Sequence, residues 1–241
     1  VLMFASLLHS LLIEAEQISL FLSDRLLTIV HRAYNDEIKL GKLKIYSRSD
    51  YHSGALSVSH FNYQSPIGSI CQYRFISPHD YAPRVPCLIA DPNQVLQLTS
   101  KYQQTNHDIK TIGISWRGGG KGPRVAQKSI DEELFFNFLL SFKGFRFINL
   151  QYGNCKSVVS KWRSKGLDIV HDDDINPLKD MDLWLSQVSI CDAVLSIANT
   201  TIHGAGGLNI PTICLLSTYA DWRWLDDPVV TRSYWYPSVG I

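Results

Sequence analysis

The chain has 241 residues, 45% of them hydrophobic and 19% charged, with a formal net charge of +1. That length suits one large domain or two small ones, each with room for a core, and the composition is that of an ordinary globular protein. The near-neutral balance gives no electrostatic footprint for nucleic acid. Five cysteines, Cys71, Cys87, Cys155, Cys191 and Cys214, are odd in number and scattered, without CxxC pairs or Cys/His ligand spacing. This argues against a structural zinc and for reduced, buried thiols in a cytoplasmic setting.

Residues 1–13 are apolar but interrupted by Ser6, His9 and Ser10, and Glu14 and Glu16 follow directly. The run lacks a basic leader and a cleavage site and falls short of the roughly 20 residues of a membrane span, so it reads as a core helix over about 2–15. Because the chain opens on Val, the expectation is a piece whose true beginning lies upstream. A strand at Ile18–Leu22, a helix from near Asp24 and a strand at Leu43–Tyr46 follow, the alternation of a helix-covered parallel sheet. Residues 49–108 have poor periodicity and many Ser, His, Tyr and Pro, which marks a functional or linking stretch.

From Lys110 the alternation is strong. Strand Thr111–Ser115 runs into the glycine-rich loop Trp116–Gly122. A helix over Ile130–Phe142 follows, with Ser129 as its expected N-cap and Glu132 as capping-box partner. Strands Phe145–Leu150, Leu167–Val170, Ala193–Ile197 and Thr212–Leu216 complete the series, with helices near 155–165 and 180–189 between them. Five strands with interleaved helices predict a doubly wound sheet, whose ligands bind outside the carboxyl ends of its strands.

The unusual loops all fall at that end. Strand Ala193–Ile197 stops at Asn199-Thr-Thr-x-His203 and then meets Gly204, Gly206 and Gly207. A strand running into a helix N-terminus offers free N–H groups and a positive dipole end to phosphate. Thr200 and Thr201 read equally as N-capping residues, and His203 as a core histidine or as a phosphate donor whose charge is tuned near neutrality. The loop Ser115-Trp-Arg-Gly-Gly119 matches neither a P-loop nor GxGxxG. Together with Lys128, Arg117 can grip a diphosphate, the plain alternative being solvated charge, as for Lys121. Gln151 and Tyr152 can reach a base or ribose or form a simple turn. Asp172–Asp174 reads as a solvated loop rather than a metal site, because adjacent side chains rarely converge on one ion. Trp222-Arg-Trp224 with Trp235 and Tyr236 forms an aromatic cluster that either stacks a sugar or base or packs two lobes together.

These blocks resemble the glycosyltransferase family 9-like, heptosyltransferase-like region that often follows tetratricopeptide repeats in bacterial proteins. The resemblance rests on Gly113-Ile-Ser-Trp-Arg-Gly-Gly119, Lys128-Ser-Ile130, Asn149-Leu-Gln-Tyr-Gly153, Ser196-x-x-Asn-Thr-Thr-x-His203, Asp221-Trp-Arg-Trp224 and Trp235-Tyr-Pro-Ser238. In the first half Met3–Leu8, Asp24-Arg-Leu26 and Asn62-Tyr-Gln-x-Pro-x-Gly-Ser69 also fit. It implies an α/β GT-B fold, two Rossmann-like lobes facing a cleft: an incomplete acceptor-side lobe over 1–108 and a nucleotide-sugar lobe over 109–241. It further implies a metal-independent glycosyltransferase without cofactor, whose substrate is a nucleotide-diphosphate sugar. The donor contacts fall on Ser115, Trp116, Arg117, Gly118, Gly119, Lys128, Gln151, Tyr152, Asn199, Thr200, Thr201 and His203. Tyr63, Gln64 and Ser69 fall on the acceptor side, facing an unidentified glycan or protein acceptor.

Tetratricopeptide repeats are expected ahead of this region, no integral membrane segment is expected, and the location is cytoplasmic or peripheral at the inner membrane. Two departures stand out. A Gly-Asp pair, whose Asp is the catalytic base of the heptosyltransferases, is expected upstream of Val1, and Ala198 stands where many relatives carry Asp. Two alternatives follow from these departures and from the fold: a noncatalytic, degenerate binding module, and a sugar-nucleotide epimerase.

Overall fold

The computed structural model describes residues 2–53, 61–74, 77, 80–81, 86–102, 109–120, 124–218, 221–224 and 231–241. The first apolar run folds as helix α1 (Leu2–Glu14), and β1 (Ile18–Leu22) follows. Next come α2 (Leu27–Ala33), α3 (Asn35–Lys39), β2 (Leu43–Ser47), α4 (Arg48–His52) and α5 (Cys71–Arg74). β1 and β2 pair in parallel, Ile18 opposite Leu43 and Leu22 opposite Ser47. Sequence reasoning passed over α6 (Pro92–Tyr102). Its start is built conventionally, since the Asp91 carboxylate accepts from the N–H groups of Asn93 and Gln94 and Pro92 occupies the first turn.

The second half begins with β3 (Lys110–Ser115), α7 (Arg124–Gln127), α8 (Glu132–Leu140) and β4 (Phe145–Asn149). It continues through α9 (Lys156–Ser164), β5 (Ile169–Val170), α10 (Met181–Ser189), β6 (Ala193–Ile197) and α11 (Thr200–Gly207). β7 (Thr212–Leu215) and the two-residue β8 (Val239–Gly240) end it. Among the described residues the sheet has six strands in the order β5-β4-β3-β6-β7-β8, all neighbours parallel. This is the doubly wound order, and its reversal point lies between β3 and β6. β8 is an addition to the five predicted strands; two residues are too few to show a pattern.

A parallel sheet must be covered on both faces, and alternate residues serve the two covers. Phe147 and Leu195 join one core with Trp116, Phe135, Leu139 and Trp162 under α8 and α9. Their neighbours Ile148 and Val194 join the other, which runs through α10 and α11 to α1 and the first sheet. The two halves are therefore fused by apolar packing, α1 lying on α11. A polar clasp adds to this: Arg32 on α2 grips both carboxylate oxygens of Asp182 on α10 and also donates to the Ile89 carbonyl at 2.9 Å. α6 is tied to the large sheet by a buried chain in which Tyr102 donates to Asp172 and accepts from Gln187, both at 2.8 Å. No helix among the described residues is long and apolar enough to cross a membrane.

Candidate functional site

At the reversal point the two central strands splay their connections to opposite faces, leaving a crevice beyond Ser115 and Ile197. Its floor is a hydrogen-bond relay. Asn199 Nδ2 donates to Ser115 Oγ at 2.7 Å, and Ser115 Oγ donates to Gln151 Oε1 at 3.0 Å. The same Gln151 oxygen accepts from the backbone N–H groups of Trp116 (3.1 Å) and Arg117 (2.8 Å). Three loops, after β3, β4 and β6, are thereby locked to one another. Gln151 is buried and its Nε2 is spent on the Tyr152 carbonyl, so its side chain shapes the loop rather than facing the crevice.

The β3 loop is a close-fitting strand exit. A Cβ on Gly119 would stand 1.8 Å from the Tyr152 hydroxyl, and Gly120 has φ +105°, a conformation that side-chain-bearing residues avoid. Ser129 props this loop, its Oγ accepting from Gly118 N–H at 3.0 Å and donating to the Val125 carbonyl at 2.6 Å. It does not cap the following helix. Asp131 does, accepting from Glu133 and Leu134 N–H, because a carboxylate one residue before the helix reaches those donors and Ser129 is two residues further back.

The indole of Trp116 is 1% exposed and packs 4.6 Å from Trp162. The indole is thus a core side chain, and the Trp116 N–H and carbonyl are bonded to Gln151 and to Ile130 N–H. Arg117 is half-buried with Nη2 on the Asn154 carbonyl, and Lys128 is exposed at the loop's edge. Lys121 and Gly122 lie outside the described residues.

α11 follows β6 as the sequence predicts, but its cap falls one residue before the expected Thr200 and Thr201. Asn199 is the N-cap, its Oδ1 accepting from Thr201 N–H at 2.8 Å, and the first turn opens toward the crevice with Thr200 half-buried at its tip. The helix is held by packing that only glycine permits. Added Cβ atoms would come within 2.8 Å of Trp184 at Gly204, 2.4 Å of Tyr236 at Gly206 and 2.5 Å of Leu88 at Gly207.

Two polar atoms on this helix, Thr201 Oγ1 and His203 Nδ1, are buried and have no hydrogen-bond partner among the described residues. An orphaned buried polar group is destabilising by about 1–3 kcal/mol and asks for a ligand or water. His203 stacks on Trp224 at 5.9 Å and leans on Tyr236. Burial, helped by the nearby Arg223 charge, lowers its pKa to about 4. The expected near-neutral tuning is corrected: at neutral pH His203 is an uncharged imidazole.

The acidic run is also corrected. Asp172 is buried, not solvated: burial raises its pKa, but hydrogen bonds from Lys101 and Tyr102 outweigh that and hold it below the usual carboxylate range. Asp173 pairs with Lys156, while Asp174 shares Lys101 with Asp172, so the run is engaged by two lysines. On the other half, the turn carrying Ser69 sits beside Phe4, against which a Cβ on Gly68 would press at 3.0 Å. Tyr63 is 96% exposed and Gln64 is exposed. The structure thus brings the strand exits carrying Ser115–Gly119, Gln151–Tyr152 and Asn199–His203 to one edge of the sheet, and leaves Tyr63 and Gln64 in solvent.

Solved structures share this fold. The chain is similar to the glycosyl transferase family 9 protein from Veillonella parvula, with a TM-score of 0.59 at 11% identity, covering 91% of this chain and 78% of that one. This chain has the GT-B fold. The same GT-B arrangement is seen against the ADP-heptose lps heptosyltransferase II of E. coli, with a TM-score of 0.50 at 12% identity over 88% of this chain and 80% of that one. In sequence, the GT-B chain is 26% identical over 181 residues, 74% of its length, to protein FlbA of Caulobacter vibrioides, and it spans 29% of that protein's length. No protein-family model matches it.

Proposed function

We propose that the crevice binds the diphosphate of a nucleotide sugar and that the chain is the donor-binding part of a glycosyltransferase. The observation that carries this reading is the N-terminus of α11 at the reversal point, with Thr201 Oγ1 and His203 Nδ1 buried on it without partners. Negative charge grows on the diphosphate as the glycosidic bond breaks, and donors already aimed at it lower the barrier without reorganising. In this reading the α11 first turn, the Thr200 hydroxyl and the neutral His203 ring supply hydrogen bonds, while Arg117 and Lys128 supply positive charge. Ser115, Gln151 and Asn199 are positioning residues that hold the two loops at a fixed separation.

Transfer to an acceptor hydroxyl needs a base within hydrogen-bond reach. The first turn of α1 lies against this region, with Tyr236 donating to the Leu2 carbonyl at 3.4 Å, so a carboxylate entering at that end of α1 would adjoin the donor. This supports the base position implied by the family resemblance.

Calorimetric titration with ADP, GDP, UDP and CDP tests the reading. One of them should bind, with Arg117→Ala and His203→Ala each weakening it by about tenfold, or about 1.4 kcal/mol. Unchanged affinity in both variants would sink the assignment. Release of nucleoside diphosphate from the matching sugar nucleotide only when a hydroxyl acceptor is added would separate a transferase from a binding module or an epimerase.

A further inference from the structure

Beside the crevice is an aromatic slot that the donor reading does not use. Tyr81, Trp222, Arg223, Tyr234 and Trp235 enclose about 40 Å³. Tyr81 meets Trp235 edge to face at 5.0 Å, Trp222 meets it likewise at 6.4 Å, and Tyr234 lies 6.0 Å from Tyr81. Trp222 stands at the mouth, 60% exposed, an unusual position for the largest apolar side chain. The back wall, Trp235, rests on Phe4 of α1, and Trp224 from the same turn as Trp222 stacks on His203. The slot therefore lies where the donor helix meets the start of α1.

Its chemistry is selective. Aromatic faces carry partial negative charge and attract C–H groups that carry partial positive charge. Arg223 lies against the Trp222 ring at 5.7 Å, and its Nη2 is fixed by Asp221, its side-chain acceptor among the described residues. Arg223 also lines the slot, and a carbonyl oxygen placed there can accept from its guanidinium. The Asp221 carboxylate disfavours an anion there. A volume of about 40 Å³ admits about three heavy atoms, since each water-sized position takes at least 10–15 Å³ of this measure, and is far too small for a whole sugar ring.

We propose that this slot receives the acetamido group of an N-acetylated sugar, the methyl between the aromatic walls, the carbonyl on Arg223, and the sugar's C–H face against Trp222. The proposal rests on the glycosyltransferase reading and names the sugar class that the cleft selects.

Saturation-transfer NMR on the full protein tests it, with methyl N-acetylglucosaminide and methyl glucoside as probes. The acetylated glycoside should bind at least tenfold tighter, with the acetyl methyl the most saturated group. Trp222→Ala should erase that preference without moving the thermal midpoint, and Arg223→Lys should reduce it several-fold. Parallel titrations with UDP-N-acetylglucosamine and UDP-glucose assign the source: a preference carried by the nucleotide sugars places the acetyl on the transferred sugar, and one confined to the glycosides places it on the acceptor. Equal binding within both pairs, or a preference that survives Trp222→Ala, overturns the proposal. Loss of nucleoside-diphosphate binding with the acetyl preference intact would overturn the transferase reading alone.

Discussion

The two strand exits that form the crevice are held in opposite ways. The helix after β6 is wedged between Trp184, Tyr236 and Leu88, and glycines let it approach them. The loop after β3 has little apolar contact apart from Trp116 and is shaped by hydrogen bonds to side chains, chiefly Gln151, with Ser129 and Asn199 beside it. Packing against buried rings resists added volume, whereas the β3 loop, where a Cβ on Gly119 would meet the outer end of the Tyr152 side chain, fails chiefly when its acceptor is lost. A site built from both keeps one wall rigid and lets the other adjust around a bulky, charged ligand.

Three perturbations sharpen that contrast. The largest effect should come from Gly206→Ala, whose Cβ would fall 2.4 Å from the Tyr236 ring. Overpacking of this kind should destabilise the fold by about 3 kcal/mol, read as a lower urea midpoint with an unchanged slope. Gln151→Ala comes next. It strips Ser115 Oγ, Trp116 N–H and Arg117 N–H of one shared acceptor, for about 2 kcal/mol, and should weaken diphosphate binding more than it lowers the melting temperature. An equal melting-temperature loss for the two variants would erase the distinction between the walls.

The smallest effect concerns proton uptake. His203 has a pKa lowered from 6.5 to about 4, so the unfolded chain takes up this proton before the native one does. The histidine's contribution is complete above pH 6.5 and drains away as pH falls toward 4. At pH 5.5 the wild type should have lost about 1 kcal/mol to this group. His203→Gln should show a correspondingly flatter stability profile between those limits in urea titrations run at several pH values.

Five strands of the large sheet were legible because each is a short apolar run followed by a polar loop, as at Ala193–Ile197. The position of α11 was legible for the same reason, but not its cap: three successive short polar residues at a strand end can each play that part, and it is Asn199 rather than Thr200 or Thr201 that does. Other features were hidden by their physics. α6 carries its cap signal, Asp91 and Pro92, but only Leu98 and Tyr102 of its residues are buried, so its apolar stripe is thin. Asp172 looked like surface because its partners, Lys101 and Tyr102, come from distant positions. His203 looked titratable, and the rings that desolvate it, Trp224 and Tyr236, lie some 20 to 30 residues further along the chain. In each case the local residue was visible and its surroundings were not.

The span bridged by Gln151 also bears on when the crevice comes into being. The β3 loop takes its shape from an acceptor 34 to 36 residues downstream, and Asn199 joins Ser115 across 84 residues. Closing contacts of that separation is entropically expensive and belongs to the later stages of assembly. A chain with β3 formed but β4 and β6 undocked has strands and no binding surface. Under the proposed function, nucleotide binding would report a finished sheet, absent until the last central strand is in place.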